Sequence, residues 1–454
     1  MKHLRLLLML FLVAVLAAVA LYARGALRVA VGYSAKQLCS GVFVAGLPED
    51  FVLDTDIGPR MALLGPAQGA LKVELDRSRS LARASLLGVT AQAVYRGAEG
   101  CALHGAAPGA GAPVPRSDVV IGEPPPALLA DAFEAAFGEP AGGGRNTLAL
   151  IVAHGDQRWE RYRSPVTPAT PMQGWSMNKS LMATWIAMQA ERGALDPTRP
   201  VVALAPDLPA TSPTTRGGLD PHLTLLHLLQ MESGLDFEEE YGPGSDVTRM
   251  LYEARAMWAI PAGVGPAVAP GQRFAYSSGD TVLASYLWQQ SLDRPYSQWI
   301  REEFSTPLGL TSLVAEADAS GVQVGSSYAY LNARDWLRVG QLWLDAWHGR
   351  SPLLPQEWLR ASVQPRDSDP RGRYGRGFWL NTGGVAFAGL PENLFYASGN
   401  SGQSVVVIPE WEMVVVRLGL TQAGVDPGTG EFLRRIARLR PELLALGGEA
   451  AVHE

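Results

Sequence analysis

The chain has 454 residues, 47% of them hydrophobic and 18% charged, with a formal net charge of −6. That composition is globular, long enough for a large core, and unlike a disordered chain. The acidic balance, with no run of Lys/Arg to track phosphates, argues against a nucleic-acid partner.

From the N-terminus, Lys2 and Arg5 precede an unbroken apolar run over residues 6–23. As a helix it would be roughly 27 Å long, against a hydrocarbon core of about 30 Å. Residues 1–28 therefore read as a signal anchor in an inner membrane, with a cleaved signal peptide as the alternative. Arg24, Arg28 and Lys36 follow the run, so loop charge does not fix its orientation. Cys39 and Cys101 are the two cysteines, both in the early part of a chain read as exported. They read as a disulfide, two buried thiols being the alternative. A disulfide would put the catalytic part in the periplasm or outside the cell. The histidines are scattered, and neither His222 with His227 nor any Cys/His cluster has metal-ligand spacing, so no metal and no cofactor is expected.

Residues 29–104 carry short β-like stretches at 41–45 and 84–95 and read as a small β-rich, membrane-proximal module. Residues 105–126, rich in Gly, Ala and Pro, read as a linker. The main domain spans 127–447. It starts with a buried-strand pattern at 147–153 and a hairpin return at 157–163, followed by a helix at 177–193. Further helices are expected at 223–231, 280–290, 296–304 and 333–346. Apolar runs at 404–408 and 413–418 flank Pro409-Glu-Trp-Glu412 as a hairpin, and 430–446 is the last helix. Strands at both ends with helices between them predict an α+β fold. It is an α/β sandwich whose antiparallel sheet is built from both ends of the domain.

The chemistry concentrates at the start of the 177–193 helix. Lysine occurs only at Lys2, Lys36, Lys72 and Lys179, and arginine supplies almost every other positive charge. Arginine cannot lose its proton in a protein, whereas lysine can. Lys179 follows Ser176 by three residues in Gly-Trp-Ser-Met-Asn-Lys-Ser (174–180), one helical turn on and on the same face. That points to a serine nucleophile with an amine partner. A second motif is Tyr276-Ser277-Ser278-Gly279-Asp280, placed in a loop before a helix. Its tyrosine can hydrogen-bond the nucleophile and share the base role. A third, Gly399-Asn400-Ser401-Gly402-Gln403, directly precedes a strand. A glycine-rich strand edge lets a substrate approach, and the Gln403 N–H with that of Ser176 can form an oxyanion hole. Trp175, Tyr328, Tyr374, Trp379 and Tyr396 lie near the motifs, either lining an acyl pocket or packing in the core.

In this order the three motifs resemble the serine β-lactamase and penicillin-binding-protein superfamily, in its class C-like branch of esterases, D-alanyl peptidases and 6-aminohexanoate-dimer hydrolases. The resemblance covers about 127–445. It rests on Ser176-Met-Asn-Lys179, on Tyr276-Ser-Ser278 in place of Tyr-x-Asn, and on Asn400-Ser401-Gly402 in place of Lys/His-Thr/Ser-Gly. Met231-Glu-Ser-Gly-Leu-Asp236, Pro307-Leu-Gly309 and Tyr374-Gly-Arg-Gly-Phe-Trp379 resemble the same branch. It implies a β-lactamase/transpeptidase-like fold and a serine hydrolase acting through an acyl-enzyme. Ser176, Lys179 and Tyr276 would be catalytic, and Ser278, Asn400, Ser401 and Gly402 would bind a small-molecule ester or amide. Asn400 stands where the family carries a cation that helps hold the substrate carboxylate, which favours an uncharged ester or linear amide. A penicillin-binding carboxypeptidase or β-lactamase, and a non-catalytic binding protein with the same fold, are the alternatives.

Overall fold

One helix, α1 (Lys2–Cys39), carries the chain from the apolar N-terminal run into the core of this computed structural model. The structure describes residues 2–105, 125–208 and 217–450. Leu7, Phe11 and Val13 on the first part of α1 are exposed, whereas from Ala30 onward its residues are buried. The expected membrane helix is not borne out: among the described residues no helix is long and apolar enough to cross a membrane. In the expected anchor, the side chains at 2–6, 14 and 16–21 lie outside that description. The expected boundary at residue 28 falls inside α1, which continues to Cys39.

The stretch at 41–45 is not a strand. It is a π-helical turn, Ser40–Val44, that prolongs α1. Gly41 is pressed on Val52, where a Cβ would lie 2.7 Å from Cγ2, and Ala45 N donates to Ser40 O at 2.9 Å. Its peptide groups are satisfied locally, so no strand edge remains to pair. The β-rich part of the module begins at residue 72, as a four-stranded antiparallel meander: β1 (Lys72–Asp76), β2 (Leu81–Leu86), β3 (Val89–Tyr95) and β4 (Cys101–Leu103). The β-like run at 84–95 is split by Leu87 and Gly88, both at positive φ (47° and 83°), as a two-residue hairpin turn requires. Most of the expected linker, residues 106–124, lies outside the described residues.

The module shares a core with the rest of the chain. Ala30, Cys39, Val52 and Tyr95 pack in one cluster with Trp175, Met250, Val282 and Tyr328. A disulfide joins Cys39 at the end of α1 to Cys101 at the start of β4. Beside it Glu316, fully buried, takes the Lys36 ammonium, the Ser40 hydroxyl (2.9 Å) and the Cys101 N–H (2.7 Å). Gly100 makes room for it, since a Cβ there would lie 2.3 Å from Glu316 Cγ. Removing one partner of such a pair leaves a buried, uncompensated charge. Glu316→Ala is expected to lower stability by about 3–5 kcal/mol, read from the urea midpoint at constant m. A loss below about 1 kcal/mol, the value of an exposed pair, would show that this pair does not join module and domain.

The main domain begins with α2 (Ala127–Phe137) and the hairpin β5 (Thr147–His154) and β6 (Gln157–Tyr162). After a short strand β7 (Met172–Gln173) come α3 (Asn178–Glu191) and, past shorter helices, α4 (Ser278–Gln290). Then follow β8 (Val314–Ala315), β9 (Ala329–Leu331) and α5 (Ala333–Trp347). The chain ends with β10 (Trp379–Leu380), β11 (Phe395–Gly399), β12 (Gln403–Ile408), β13 (Met413–Gly419) and α6 (Thr429–Ala450). The large sheet runs β10-β11-β12-β13-β5-β6, antiparallel throughout, so both ends of the domain build it as expected.

Strand residues alternate between two helical layers, the period-two signature of a sheet buried on both faces. Ile151, Ala153, Val405, Val407, Val414 and Val416 face α5 and the helical region. Leu150, Val152, Val406, Ile408 and Val415 face α2 and α6. Gly340 lets α5 approach closely, since a Cβ there would be 2.5 Å from Val414 Cγ1. This α+β sandwich holds the start of α3 against the β11–β12 edge.

Candidate active site

Ser176 sits in a 3₁₀ turn, Trp175–Met177, that leads directly into α3. The turn is tightly held. Gly174 lies against Trp336, where a Cβ would be 2.4 Å from Cζ2, and its N–H donates to Ala329 O at 2.8 Å. Gly399 on β11 faces it so closely that a Cβ there would lie 2.1 Å from Gly174 O. Gly399 is thus needed for backbone approach, and Gly174 for the close packing of the Trp336 ring. Trp175 is buried at φ 49°, a left-handed conformation that costs a non-glycine residue about 1–3 kcal/mol. It turns the chain so that Ser176, half-buried, follows at the helix entrance.

Lys179 lies one turn along the same face, 1% exposed. Its Nζ donates to Ser176 Oγ at 3.1 Å, to Ser278 Oγ at 3.1 Å and to the Ser326 carbonyl at 3.3 Å. The ammonium also sits 4.7 Å from the centroid of the Tyr276 ring, a cation–π contact. In the structure the ring face of Tyr276 meets Lys179. The same ring packs edge-to-face with Tyr374 (5.8 Å) and stacks on Trp379 (5.2 Å). Trp379 in turn stacks on Tyr396 at 6.5 Å. Of the other aromatic candidates, Tyr328 is core: fully buried, it lies under Lys36 (4.0 Å) and donates to Leu251 O.

Ser278, at the first turn of α4, is fully buried and connects Lys179 to Glu239. Its hydroxyl donates to Glu239 Oε1 at 2.6 Å and its N–H to Glu239 Oε2 at 2.7 Å. Burial pushes the Glu239 carboxyl above the usual carboxylate range, while the Lys179 charge and the two Ser278 hydrogen bonds pull it down. Glu239 carried no signal in the sequence, where Glu238-Glu239-Glu240 reads as a solvated run.

The third motif is close by. Ser401 (φ 61°) and Gly402 (φ 76°) form the tight turn between β11 and β12. The Gln403 side chain is committed to the sheet, donating to Gly419 O and accepting from Gly419 N (3.0 Å), so only its backbone can address a substrate. Asn400 and Ser401 do not stand alone. Arg60, from the N-terminal module, donates through Nη2 to Asn400 Oδ1 (2.8 Å) and Ser401 Oγ (2.7 Å). Among the described residues no group of His, Cys, Asp and Glu could hold a metal ion.

The arrangement provides a serine hydroxyl, an amine in contact with it, and a serine–carboxylate line that can take a proton from the amine. Comparison with known proteins gives the family and the fold. A family model described as Beta-lactamase matches residues 130–437. The 6-aminohexanoate-dimer hydrolase of Paenarthrobacter ureafaciens is 24% identical over 316 residues, covering 62% of this chain and 74% of that protein. A penicillin-binding protein homologue from Caulobacter crescentus superposes with a TM-score of 0.55 at 18% identity, covering 70% of this chain and 100% of that one. A D-stereospecific amidohydrolase from Streptomyces sp. gives 0.53 at 17%, covering 70% and 98%. At such identities the structural likeness is one of fold.

Proposed function

The chain belongs to the beta-lactamase family and is a serine hydrolase, and from that premise we propose that it cleaves an ester or amide through an acyl-enzyme on Ser176. The observation that carries this is the placement of Lys179 Nζ, 3.1 Å from both Ser176 Oγ and Ser278 Oγ. Lys179 must lose a proton before it can act as a base. The line Lys179–Ser278–Glu239 offers a route: Glu239 takes the Ser278 hydroxyl proton while Ser278 takes one from Lys179. The amine is then free to accept the Ser176 proton as Oγ attacks the carbonyl carbon. The ammonium so formed is steadied by the Ser326 carbonyl and the Tyr276 ring, and it returns the proton to the leaving group. In this reading Tyr276 acts through its ring face on Lys179 rather than as a second base. The N–H groups of Ser176 and Gln403 receive the oxyanion, with the Gly174–Gly399 approach supporting their proximity. Water then releases the acyl group by the same steps in reverse.

Glu239→Gln tests the relay through pH. With Glu239 present, the proton that leaves Lys179 has a buried carboxylate to go to through Ser278. With glutamine the lysine can lose its proton only to solvent. The variant is expected to lose about 100-fold in kcat/KM at pH 7 and to recover as pH rises. An equal loss at every pH would reduce Glu239 to a structural role.

We place the catalytic domain on the oxidising side of a membrane, a reading supported by the Cys39–Cys101 disulfide. The nucleophile itself is tested by intact mass after exposure to a fluorophosphonate, wild type beside Ser176→Ala. One adduct that disappears in the variant supports the reading. An unlabelled wild type that also leaves small esters intact would overturn it.

A further inference from the structure

We propose that Arg60, delivered by the N-terminal module, is the cation that the third motif lacks, and that it selects substrates carrying a carboxylate. The inference rests on the acyl-transfer reading of Ser176. Asn400 removes the charge from the motif, and the sequence alone therefore favours a neutral substrate. The fold restores that charge from a residue 340 positions away in the chain.

Arg60 is built into this position. Asp56, one helical turn earlier, accepts from its Nε at 3.2 Å and is itself held by the Tyr33 hydroxyl at 2.5 Å. Nη2 is used by Asn400 Oδ1 and Ser401 Oγ, and Ser401 Oγ also donates to Asn400 Oδ1 at 3.0 Å. The guanidinium lies 5.6 Å from the centroid of Trp175, the residue before the nucleophile, and 5.4 Å from that of Tyr33. Nη1 has no partner among the described residues, and the side chain is 32% exposed. A guanidinium fixed by three acceptors with one edge unengaged is pre-organised to receive a carboxylate oxygen. Asp56 offsets part of the charge, but it sits on the Nε side and leaves the Nη1 edge open. The Asn400 carbonyl oxygen orients the arginine, which a lysine at that position would repel.

The test uses matched aryl esters of N-acetylglycine whose leaving phenol carries or lacks a meta carboxylate. 4-Nitrophenyl hemiglutarate and 4-nitrophenyl valerate form the corresponding pair for the acyl side. In at least one pair, wild type is expected to prefer the anionic member. Arg60→Gln is expected to raise KM for that member and lower kcat/KM by about 30–100-fold, as loss of a charged hydrogen bond does. The neutral member should stay within about 3-fold, and Arg60→Lys should recover part of the preference. Equal losses on both members would mean that Arg60 only pins the module to the third motif. Equal wild-type rates in both pairs would likewise overturn the proposal while leaving Ser176 as nucleophile. Failure of wild type on all four esters, by contrast, would bring down the acyl-transfer reading beneath it.

Discussion

Ser176→Ala is expected to lower kcat by roughly 10⁴–10⁶-fold on any ester or amide the wild type turns over. The proton line, the Gly399–Gly174 contact and the third motif are untouched by the change, so substrate binding and thermal midpoint should be retained. The loss is specific to the missing nucleophile because everything around Ser176 is organised to receive what its oxygen gives up. Lys179 Nζ lies 3.1 Å from Oγ, and Trp175 holds a left-handed conformation that aims the residue at the helix entrance. Residual activity after mutation would come from oxyanion and binding contributions alone. Turnover within about 10-fold of wild type would remove Ser176 from the mechanism.

Lys179→Arg should be nearly as damaging, with a fall of about 10³–10⁴-fold in kcat. Arginine keeps the positive charge but cannot act as a base. It must also fit a site where the native side chain is 1% exposed and bounded by Ser176, Ser278 and the Ser326 carbonyl. Lys179→Met separates the two effects. It is unbranched and close in volume, so the fold should survive, yet it has no amine. If both variants are inactive and Lys179→Met stays folded by its thermal midpoint, loss of the base is responsible. Activity in Lys179→Met would assign the base to another group.

Much of the scaffold was legible because it is locally encoded. The β5–β6 and β12–β13 hairpins carry apolar runs broken by turn residues, and α3, α4 and α5 lie within a few residues of their expected bounds. The stretch at 41–45 misled because short apolar runs look alike in a strand and in a buried helical turn. There the contact of Gly41 with Val52 decided between them.

The sequence by itself determined that Ser176 and Lys179 meet, at 3.1 Å in the structure, since residues three apart at a helix start share a face whatever surrounds them. It also marked the second and third motifs, because a serine ahead of a helix, here Ser277 accepting from the Asp280 N–H through its hydroxyl, and turn glycines are local signals. Only the tertiary structure decided what these groups touch. The Tyr276 ring lies beside the Lys179 amine, with Tyr374 and Trp379 packed around it. Glu239 joins the Lys179–Ser278 hydrogen bond because Ser278 reaches it across 39 residues of chain. Arg60 arrives at Asn400 because α1, the disulfide and the buried Lys36–Glu316 pair dock the module onto the domain. Such contacts depend on long-range packing and on which side chains share a low-dielectric site, and no local pattern of residues encodes either.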